Sequence, residues 1–402
     1  MIDRKTIRDL RDDEVRGRRA LVRVDFNVPV EADGTVGDDT RIRAALPTIE
    51  ALADRGARVV LLSHFGRPKG EPVPEFSLGP VARRLGELTT RPVCFVESTT
   101  SDEATKATHD LQPGEILVLE NTRFLPGEEQ NDAALSRELA LLGDFYVNDA
   151  FGAAHRAHAS TAGVAEVLRP AVAGLLMERE LAYLGGALAE PERPFVAVLG
   201  GSKISGKIDV IEAMLPKVDR MLVGGAMACT FFKAMGLEVG TSLVEPDRVE
   251  LAKSLLQSAG DKLVLPDDAL VARAMDAGDA AHAVGRDAIP PDEAMFDVGP
   301  ETAARYARIV GEARTVIWNG PMGVFEQPPF DRGTMAVAQA MVDATAAGAT
   351  TIVGGGDSAA AIMQAGLGER VSHVSTGGGA SLEFLEGKAL PGVDALDARD
   401  AR

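Results

Sequence analysis

Residues 194–209 read PFVAVLGGSKISGKID, and this stretch decides what kind of sheet the chain builds. From Phe195 to Leu199 every residue is apolar, with none of the alternation of a half-exposed strand, so a strand buried on both faces is expected. Gly200 and Gly201 end it, and a helix is expected to follow, with Lys203 and Lys207 one turn apart on one face. Strand, glycine turn and helix in that order are the repeating unit of a parallel α/β sheet. From Gly201 the spelling is also one residue short of a phosphate-binding P-loop. G-SKIS-G-K is followed by Ile208, where Ser or Thr would supply a magnesium ligand.

The same unit recurs outward in both directions. Apolar runs occur at 20–25 (ALVRVD), 58–63 (RVVLLS), 115–120 (EILVLE) and 144–149 (DFYVND). Beyond the opening stretch they return at 220–225 (RMLVGG), 262–266 (KLVLP), 314–320 (RTVIWNG) and 349–356 (ATTIVGGG). Segments such as RIRAALPTIEALADRGA and DRGTMAVAQAMVDATAAGA lie between them, apolar at helical spacing and ending in glycine. The fold class that follows is α/β, with two doubly wound, Rossmann-like parallel sheets. In the first half the strand ends carry Asp25-Phe26-Asn27, Ser63-His64, Glu120-Asn121 and Asn148-Asp149; in the second they carry glycine. Ligands of open parallel sheets bind at the carboxyl ends of the strands. The first sheet is thus equipped for a small polar anion and the second for close backbone approach to a nucleotide. Two such domains facing a cleft suggest a two-substrate enzyme, with residues 171–188 as a connecting hinge helix.

The totals agree with this class. The chain has 402 residues, room for two or three ordinary domains, and is 46% hydrophobic and 25% charged, the composition of a soluble globular protein. A formal net charge of -18 argues against a nucleic-acid or membrane-surface binder, which needs a basic face. Cys94 and Cys229 are too isolated for a disulfide framework or zinc site and fit a reducing cytosol. The N-terminus has no apolar core for a signal peptide, and no apolar run approaches the ~20 residues of a membrane span. A cytoplasmic location is the expectation.

In an acidic chain, clustered cations are informative. HFGRPKG sets His64-Phe65-Gly66-Arg67 directly after a strand, and NDAFGAAHRAH sets His155-Arg156-x-His158 after another. With Asp25, Asn27, Arg41 and Arg123 they make a basic and polar constellation near strand ends. Arginine forks match the oxygens of carboxylate or phosphate. A surface arginine more commonly pairs with a nearby acid, but three of the six histidines flanking arginines at strand ends weaken that reading. Metal binding at HRAH is disfavoured, since no carboxylate supports it and the arginines repel a cation. In the second half GGSKISGK, GGAM (224–227), GGGDS (354–358) and TGGGAS (376–381) each offer backbone amides to an anion. The commoner use of glycine is a tight turn, but four such clusters after strands make that reading weak. Asp357 sits among these amides, where phosphate would repel it unless Mg²⁺ bridged them, so it is the magnesium candidate.

Taken together, RVDFNVPV, TRIRAALPTI, LLSHFGRPKG, LENTRF, YVNDAFGAAHRAHAS, LGGSKISGKID, VGGAMA, WNGPMGVFE, GGGDS and STGGGASLEFLEGK closely resemble the phosphoglycerate kinase family, in order, from about Leu21 to Lys388. The resemblance implies reversible transfer of the acyl phosphate of 1,3-bisphosphoglycerate to ADP, giving 3-phosphoglycerate and ATP, by direct in-line transfer after hinge closure. With the boundary at the helix-like segment, this gives a phosphoglycerate-binding domain over 1–170, the connecting helix over 171–188, a nucleotide-binding domain over 189–386 and a tail over 387–402, either frayed or a strap returning to the first domain. By the same resemblance Asp25, Phe26, Asn27, Arg41, His64, Phe65, Gly66, Arg67, Arg123 and Arg156 hold the phosphoglycerate. Gly200, Gly201, Gly224 and Gly225 wall the adenosine pocket. Lys203, Lys207, Gly299, Asn319, Pro321, Glu326, Gly355, Gly356, Asp357 and Ser358 hold the rest of the magnesium nucleotide. Arg41, Lys203, Lys207, Gly378 and Gly379 would surround the phosphoryl group in flight, and a monomer is expected. Gly206 departs from the family, which usually has Asp there, and Thr122 and Ser358 are milder departures. The P-loop reading fails at Ile208, and a nicotinamide dehydrogenase fails for want of GxGxxG with an acid ~20 residues on. A non-catalytic binding module would explain one ligand site but not two.

Overall fold

The structure is a computed structural model that describes residues 3–399. The chain divides into two compact units, one running through Ala182 and including the C-terminal stretch from Ala389, the other comprising Tyr183–Lys388.

The first unit is built on six parallel strands: β1 Arg19–Arg23, β2 Arg58–Leu62, β3 Val93–Val96, β4 Ile116–Leu119, β5 Phe145–Asn148 and β6 Ala171–Ala173, in the order β3-β4-β2-β1-β5-β6. The continuous apolar runs mark its centre, because β1, β2, β4 and β5 are covered on both faces. Val22, Val59, Leu61, Val118 and Val147 pack in one cluster with Ile42, Ile49 and Leu52 of the helix Thr40–Asp54 and Val81 and Leu85 of the helix Gly79–Leu88. β3 and β6 were not evident in the sequence: VCFV is only half-buried, and Ala171–Ala173 is too short for any periodicity. The connecting helix therefore starts later than its pattern suggested. Residues 171–173 are extended and pair with β5, Gly174 follows, and the helix runs Leu175–Ala189. Asp149 fixes that start, its Oδ1 accepting the Leu176 and Met177 amides at 2.9 and 3.2 Å, while a Cβ on Gly174 would lie 2.1 Å from the same oxygen.

The C-terminal stretch is structural here. Lys5 N–H donates to Asp397 O and Asp397 N–H to Ala171 O, both at 2.8 Å, and Asn148 Nδ2 donates to Gly392 O at 2.9 Å.

The second unit has its own six-stranded parallel sheet. The strands are β7 Phe195–Leu199, β8 Arg220–Val223, β9 Leu263–Val264, β13 Thr315–Asn319, β14 Thr350–Gly354 and β15 His373–Val374, in the order β15-β14-β13-β7-β8-β9. A separate antiparallel sheet, β11-β10-β12, comes from β10 Asp268–Ala272, β11 His282–Gly285 and β12 Ala294–Val298. It had no clear sequence signature, since HAVG is largely exposed and the neighbouring strands are short and alanine-rich. Tyr306 ties the helix Pro300–Gly311 to the parallel sheet, its hydroxyl donating to Val223 O at 2.7 Å or Val264 O at 2.9 Å.

On β12 the wholly buried Asp297 joins this small sheet to the helix Arg332–Ala346. Its carboxyl accepts the Gly333 amide at 2.7 Å and the Val298 amide at 2.8 Å. Burial pushes the group up to about 8, against the lowering effect of those two amides. The folded state therefore holds a proton that the unfolded state releases near pH 4, and stability falls as pH rises from there to about 8. Denaturant titrations between pH 5 and 8 should show this decline, at no more than about 1.4 kcal/mol per pH unit for one proton. Asp297→Asn should be less stable at pH 5 and flatter across that range.

Candidate functional site

In the first unit the cationic side chains gather at the carboxyl ends of β1, β2, β4 and β5. Arg41 Nη1 donates to Asp25 Oδ2 at 2.8 Å. Asn27 Oδ1 accepts the Gly66 amide at 3.0 Å, and Arg123 Nη1 donates to Gly66 O at 2.7 Å, so two other loops fix the HFGRP turn. Gly66 has φ +59°, and a Cβ there would lie 2.3 Å from the Phe76 ring, which packs edge-on against Phe65 with centroids 6.2 Å apart. Asn121 completes the turn, accepting the Phe65 and Arg123 amides and donating to Phe65 O. Arg67, Arg156 and Asn27 are exposed, whereas Phe26 and Phe65 are buried, so the two phenylalanines shape the loops from below. Arg123 also pairs with Glu129 at 3.1 Å.

The electrostatics of this cluster depend on a residue the sequence reading did not single out. Arg23 lies on β1, fully buried, and donates from Nε to Ser160 Oγ at 2.8 Å and from Nη2 to His64 Nδ1 at 3.1 Å. Ser160 in turn donates to the buried carboxylate of Glu128 at 2.5 Å. His64 is held neutral, far below the usual histidine range, first by burial and then by the charges of Arg23, Arg123 and Arg41. Because Arg23 can only donate, Nδ1 accepts and the proton of His64 resides on Nε2. His158 is likewise pushed down to about 3, by burial and by Arg23, Arg123 and Arg156. The arginines are thus the cations of the cluster, and His64 is neutral with an N–H at Nε2. A charged residue inside the apolar run ALVRVD was the one available signal for Arg23. Glu128 and Ser160 had none.

In the second unit the loops after β7, β8 and β13 are knitted by backbone hydrogen bonds. Gly201 N–H donates to Pro321 O at 3.0 Å, Gly225 N–H to Met322 O at 2.9 Å and Met227 N–H to Gly201 O at 3.1 Å. Gly225 has φ +68°, and a Cβ on it would lie 2.5 Å from Gly201 O; one on Gly200 would lie 2.0 Å from Pro321 O. Beside this knot opens a cavity of about 550 Å³. Gly201, Gly225, Pro321, Glu326 and Asp357 line it, with Thr241, Leu243, Met275, Met295, Phe296 and Val324 supplying an apolar wall. Gly200 and Gly224, expected to wall the pocket, do not line it and pack against Pro321 and Met322 instead. Met275, Met295 and Phe296 come from the small antiparallel sheet and the loop after β10, Thr241 and Leu243 from the loop after the helix Met227–Ala234, and Val324 from the loop after β13, so no single local pattern marks them.

The phosphate-side residues lie beside this cavity. Lys207 is half-buried and directs Nζ at the side-chain and main-chain oxygens of Asn319. Burial pushes Lys207 down to about 8, partly offset by the charge of Asp357. Asn319 is itself buried, and its Nδ2 finds no acceptor. Ser358 Oγ accepts the Gly320 amide at 3.0 Å and donates to Gly354 O at 2.5 Å, fixing the start of the helix Gly356–Gln364. Gly355 and Gly356 open that helix, Asp357 is exposed in its first turn, and Gly378 with φ +51° precedes the helix Gly379–Leu385. Gly299 caps the helix Pro300–Gly311, its amide donating to Asp268 O at 3.0 Å, and does not line the cavity. One expectation is corrected. Lys203 and Lys207 are not a turn of helix apart, because the helix begins at Ile208; the chain from 203 to 207 is a tight turn closed by Lys207 N–H to Ile204 O at 2.8 Å. Gly201 and Gly206 favour that turn over helix propagation.

Among the described residues no cluster of three or more His, Cys, Asp or Glu side chains could cage a metal. Asp357 alone, exposed among helix-start amides, suits a cation that takes most of its ligands from phosphate and water.

Two parallel α/β units, one with a cationic cluster and the other with a glycine-walled cavity near two lysines, are a framework suited to two anionic ligands. The phosphoglycerate kinase family model matches residues 8–388. The chain is 58% identical over 400 residues to the phosphoglycerate kinase of Chloroflexus aurantiacus, covering 98% of this chain and 99% of the relative. It is 55% identical over 399 residues to that of Chlorobium limicola, covering 98% and 100%. The solved phosphoglycerate kinase of Coxiella burnetii superposes with a TM-score of 0.86 at 42% identity, and that of Pyrococcus horikoshii with 0.85 at 32%, each covering 98% of both chains. The chain belongs to the phosphoglycerate kinase family, phosphotransferases with a carboxyl group as acceptor.

The Lys207 environment gives a pH test. Its charge is present in the folded protein below about 8 and lost above it, although an unfolded lysine keeps its proton to 10.5. In a pH profile, kcat/KM for ADP should fall through about 8. Lys207→Arg, whose charge persists to pKa ≳ 12, should lose that limb.

Proposed function

We propose that the first unit holds 3-phosphoglycerate or 1,3-bisphosphoglycerate on Arg41, His64, Arg67, Arg123 and Arg156, with Asp25 and Asn27 ordering the loops. In the same reading the glycine-walled cavity of the second unit takes the adenosine of ADP or ATP, and Lys203, Lys207 and the amides of 355–358 take its phosphates. The observation that carries this is the Lys207 amine, half-buried against an amide side chain with no carboxylate hydrogen-bonded to it. A buried cation without a bonded counter-ion is costly, and an arriving phosphate removes the cost.

An acyl phosphate carries a good carboxylate leaving group, and the reverse attack uses a carboxylate already ionised at neutral pH. No general base is needed. The chain's task is alignment and charge neutralisation. Arg41, Lys203 and Lys207 would meet the three equatorial oxygens, with the amides of Gly378 and Gly379 completing the shell. His64, neutral with its proton on Nε2, would donate to a substrate oxygen without drawing a counter-charge. Mg²⁺ on Asp357 and the nucleotide phosphates would offset further negative charge. Donor and acceptor must be brought into line and water excluded, since water would otherwise hydrolyse the acyl phosphate.

A monomeric cytoplasmic enzyme that touches neither nucleic acid nor membrane belongs to the same proposal. Its support is the -18 net charge and the lack, among the described residues, of any helix long and apolar enough to cross a membrane. The test is steady-state kinetics with ADP, 1,3-bisphosphoglycerate and magnesium. Lys203→Ala and Arg41→Ala should each lower kcat by about 10²-fold or more, the scale of one lost transition-state contact, while KM changes far less. Near-normal kcat in both would refute the assignment.

A further inference from the structure

The turn that carries Lys203 and Lys207 has little of its own to hold it. Ser202, Lys203, Ser205 and Gly206 are exposed, and a Cβ on Gly206 would meet nothing within 4 Å. Ile204 is its one fully buried side chain. Yet the two amines must be set to within a fraction of an ångström if they are to meet a phosphoryl group in flight.

A carboxylate forty residues away closes on this turn. Ser205 donates twice to Glu245, from its amide to Oε2 at 3.0 Å and from its hydroxyl to Oε1 at 2.5 Å. Glu245 is anchored in turn, its amide donating at 3.2 Å to Oγ1 of Thr230, a buried residue of the helix Met227–Ala234. Burial alone would raise the Glu245 carboxyl. The Ser205 hydroxyl and amide, the Ile204 amide and the charge of Lys203 outweigh it and keep the group ionised. The carboxylate therefore spans both oxygens across the turn and lies within the electrostatic reach of Lys203. It does not line the nucleotide cavity.

We infer that Glu245 is a positioning residue for phosphoryl transfer, clamping the 203–207 turn through Ser205 so that Lys203 and Lys207 are presented to the transferring phosphate. Gly206, which gives the turn its freedom, makes a clamp from elsewhere in the chain necessary. The inference rests on the proposed roles of Lys203 and Lys207, and on the two hydrogen bonds for the rest.

The test is a kinetic cycle on the full-length enzyme, reading kcat, KM for ADP, KM for 1,3-bisphosphoglycerate and thermal midpoint for Glu245→Ala, Ser205→Ala and the double variant. Glu245→Ala should lower kcat by about 10–100-fold, the cost of misplacing catalytic groups by about 1 Å. Both KM values and the midpoint should change little. Ser205→Ala keeps its amide and should lose less. The double variant should be no slower than Glu245→Ala, because the second change removes a bond already lost. If Glu245→Ala does not fold, Glu245→Gln carries the test, since one of its two acceptors becomes a donor facing Ser205 and a smaller fall in kcat with steady KM is expected. Wild-type kcat in the folded Glu245 variant, or losses that multiply in the double variant, would overturn the inference. Lys203→Ala in the same series separates the two failures. If it retains kcat, the proposed role of that lysine is wrong; if it collapses while the Glu245 variant does not, only the clamp is wrong.

Discussion

The second unit of this protein depends on main chain meeting main chain. Where β7, β8 and β13 end, their loops come so close that an added Cβ at Gly200, Gly225 or Gly320 would sit 2.0–2.5 Å from a carbonyl oxygen. The gain from that closeness is a floor whose polar groups are already paired, Gly201 and Gly225 donating to Pro321 and Met322 at 3.0 and 2.9 Å. A ligand can lie against such a floor without contending with unsatisfied amides. What remains to be satisfied stands at its edge: the Lys207 amine, Asn319 Nδ2 and the amides opening the helix Gly356–Gln364. These are the groups a polyphosphate would complete.

The other half reaches preorganisation by an opposite route, through side chains. A fully buried arginine is tolerated only with all its directions used, and Arg23 uses them on Ser160, the Val24 carbonyl and His64. Glu128, reached through Ser160, supplies the balancing charge without quenching the cations nearer the ligand. The outcome is a cluster in which histidine is denied a proton so that arginine need not share its role. Both halves place their chemistry at the carboxyl ends of parallel strands, one with backbone and one with buried charge.

Most of the framework was legible because buried parallel strands spell themselves as unbroken apolar runs. ALVRVD, RVVLLS, EILVLE, DFYVND, the four glycine-ended runs and KLVLP all became strands. The strands that escaped have weaker spelling: Ala171–Ala173 and His373–Val374 are too short for a period, Val93–Val96 is half-buried, and the antiparallel strands Asp268–Ala272, His282–Gly285 and Ala294–Val298 are short, with His282–Gly285 largely exposed. The polar residues that the structure brings together divided the same way. Those borne by a local pattern, such as HFGRP or GGGDS, were visible, because loop chemistry and glycine geometry are written in adjacent letters. Arg23, Glu128, Glu245 and Asp297 act across 32 to 137 residues of chain, and a lone acid or base carries no mark of its distant partner. The two lysines show the converse hazard. Spacing four apart suggested a helix, whereas Gly201 and Gly206 had already settled on a turn.

The pairing of Asp397 with Lys5 and Ala171, and of Gly392 with Asn148 and Ala154, has a consequence for how the molecule is made. Translation delivers the first unit's sheet early, yet the bonds that Lys5 and Ala171 make to Asp397, and Asn148 to Gly392, must wait until residues 392–397 have been made. The second unit, Tyr183–Lys388, is continuous in sequence and can finish while its neighbour is still waiting. The unit begun first on the ribosome is thus completed only after the second unit's residues have been made.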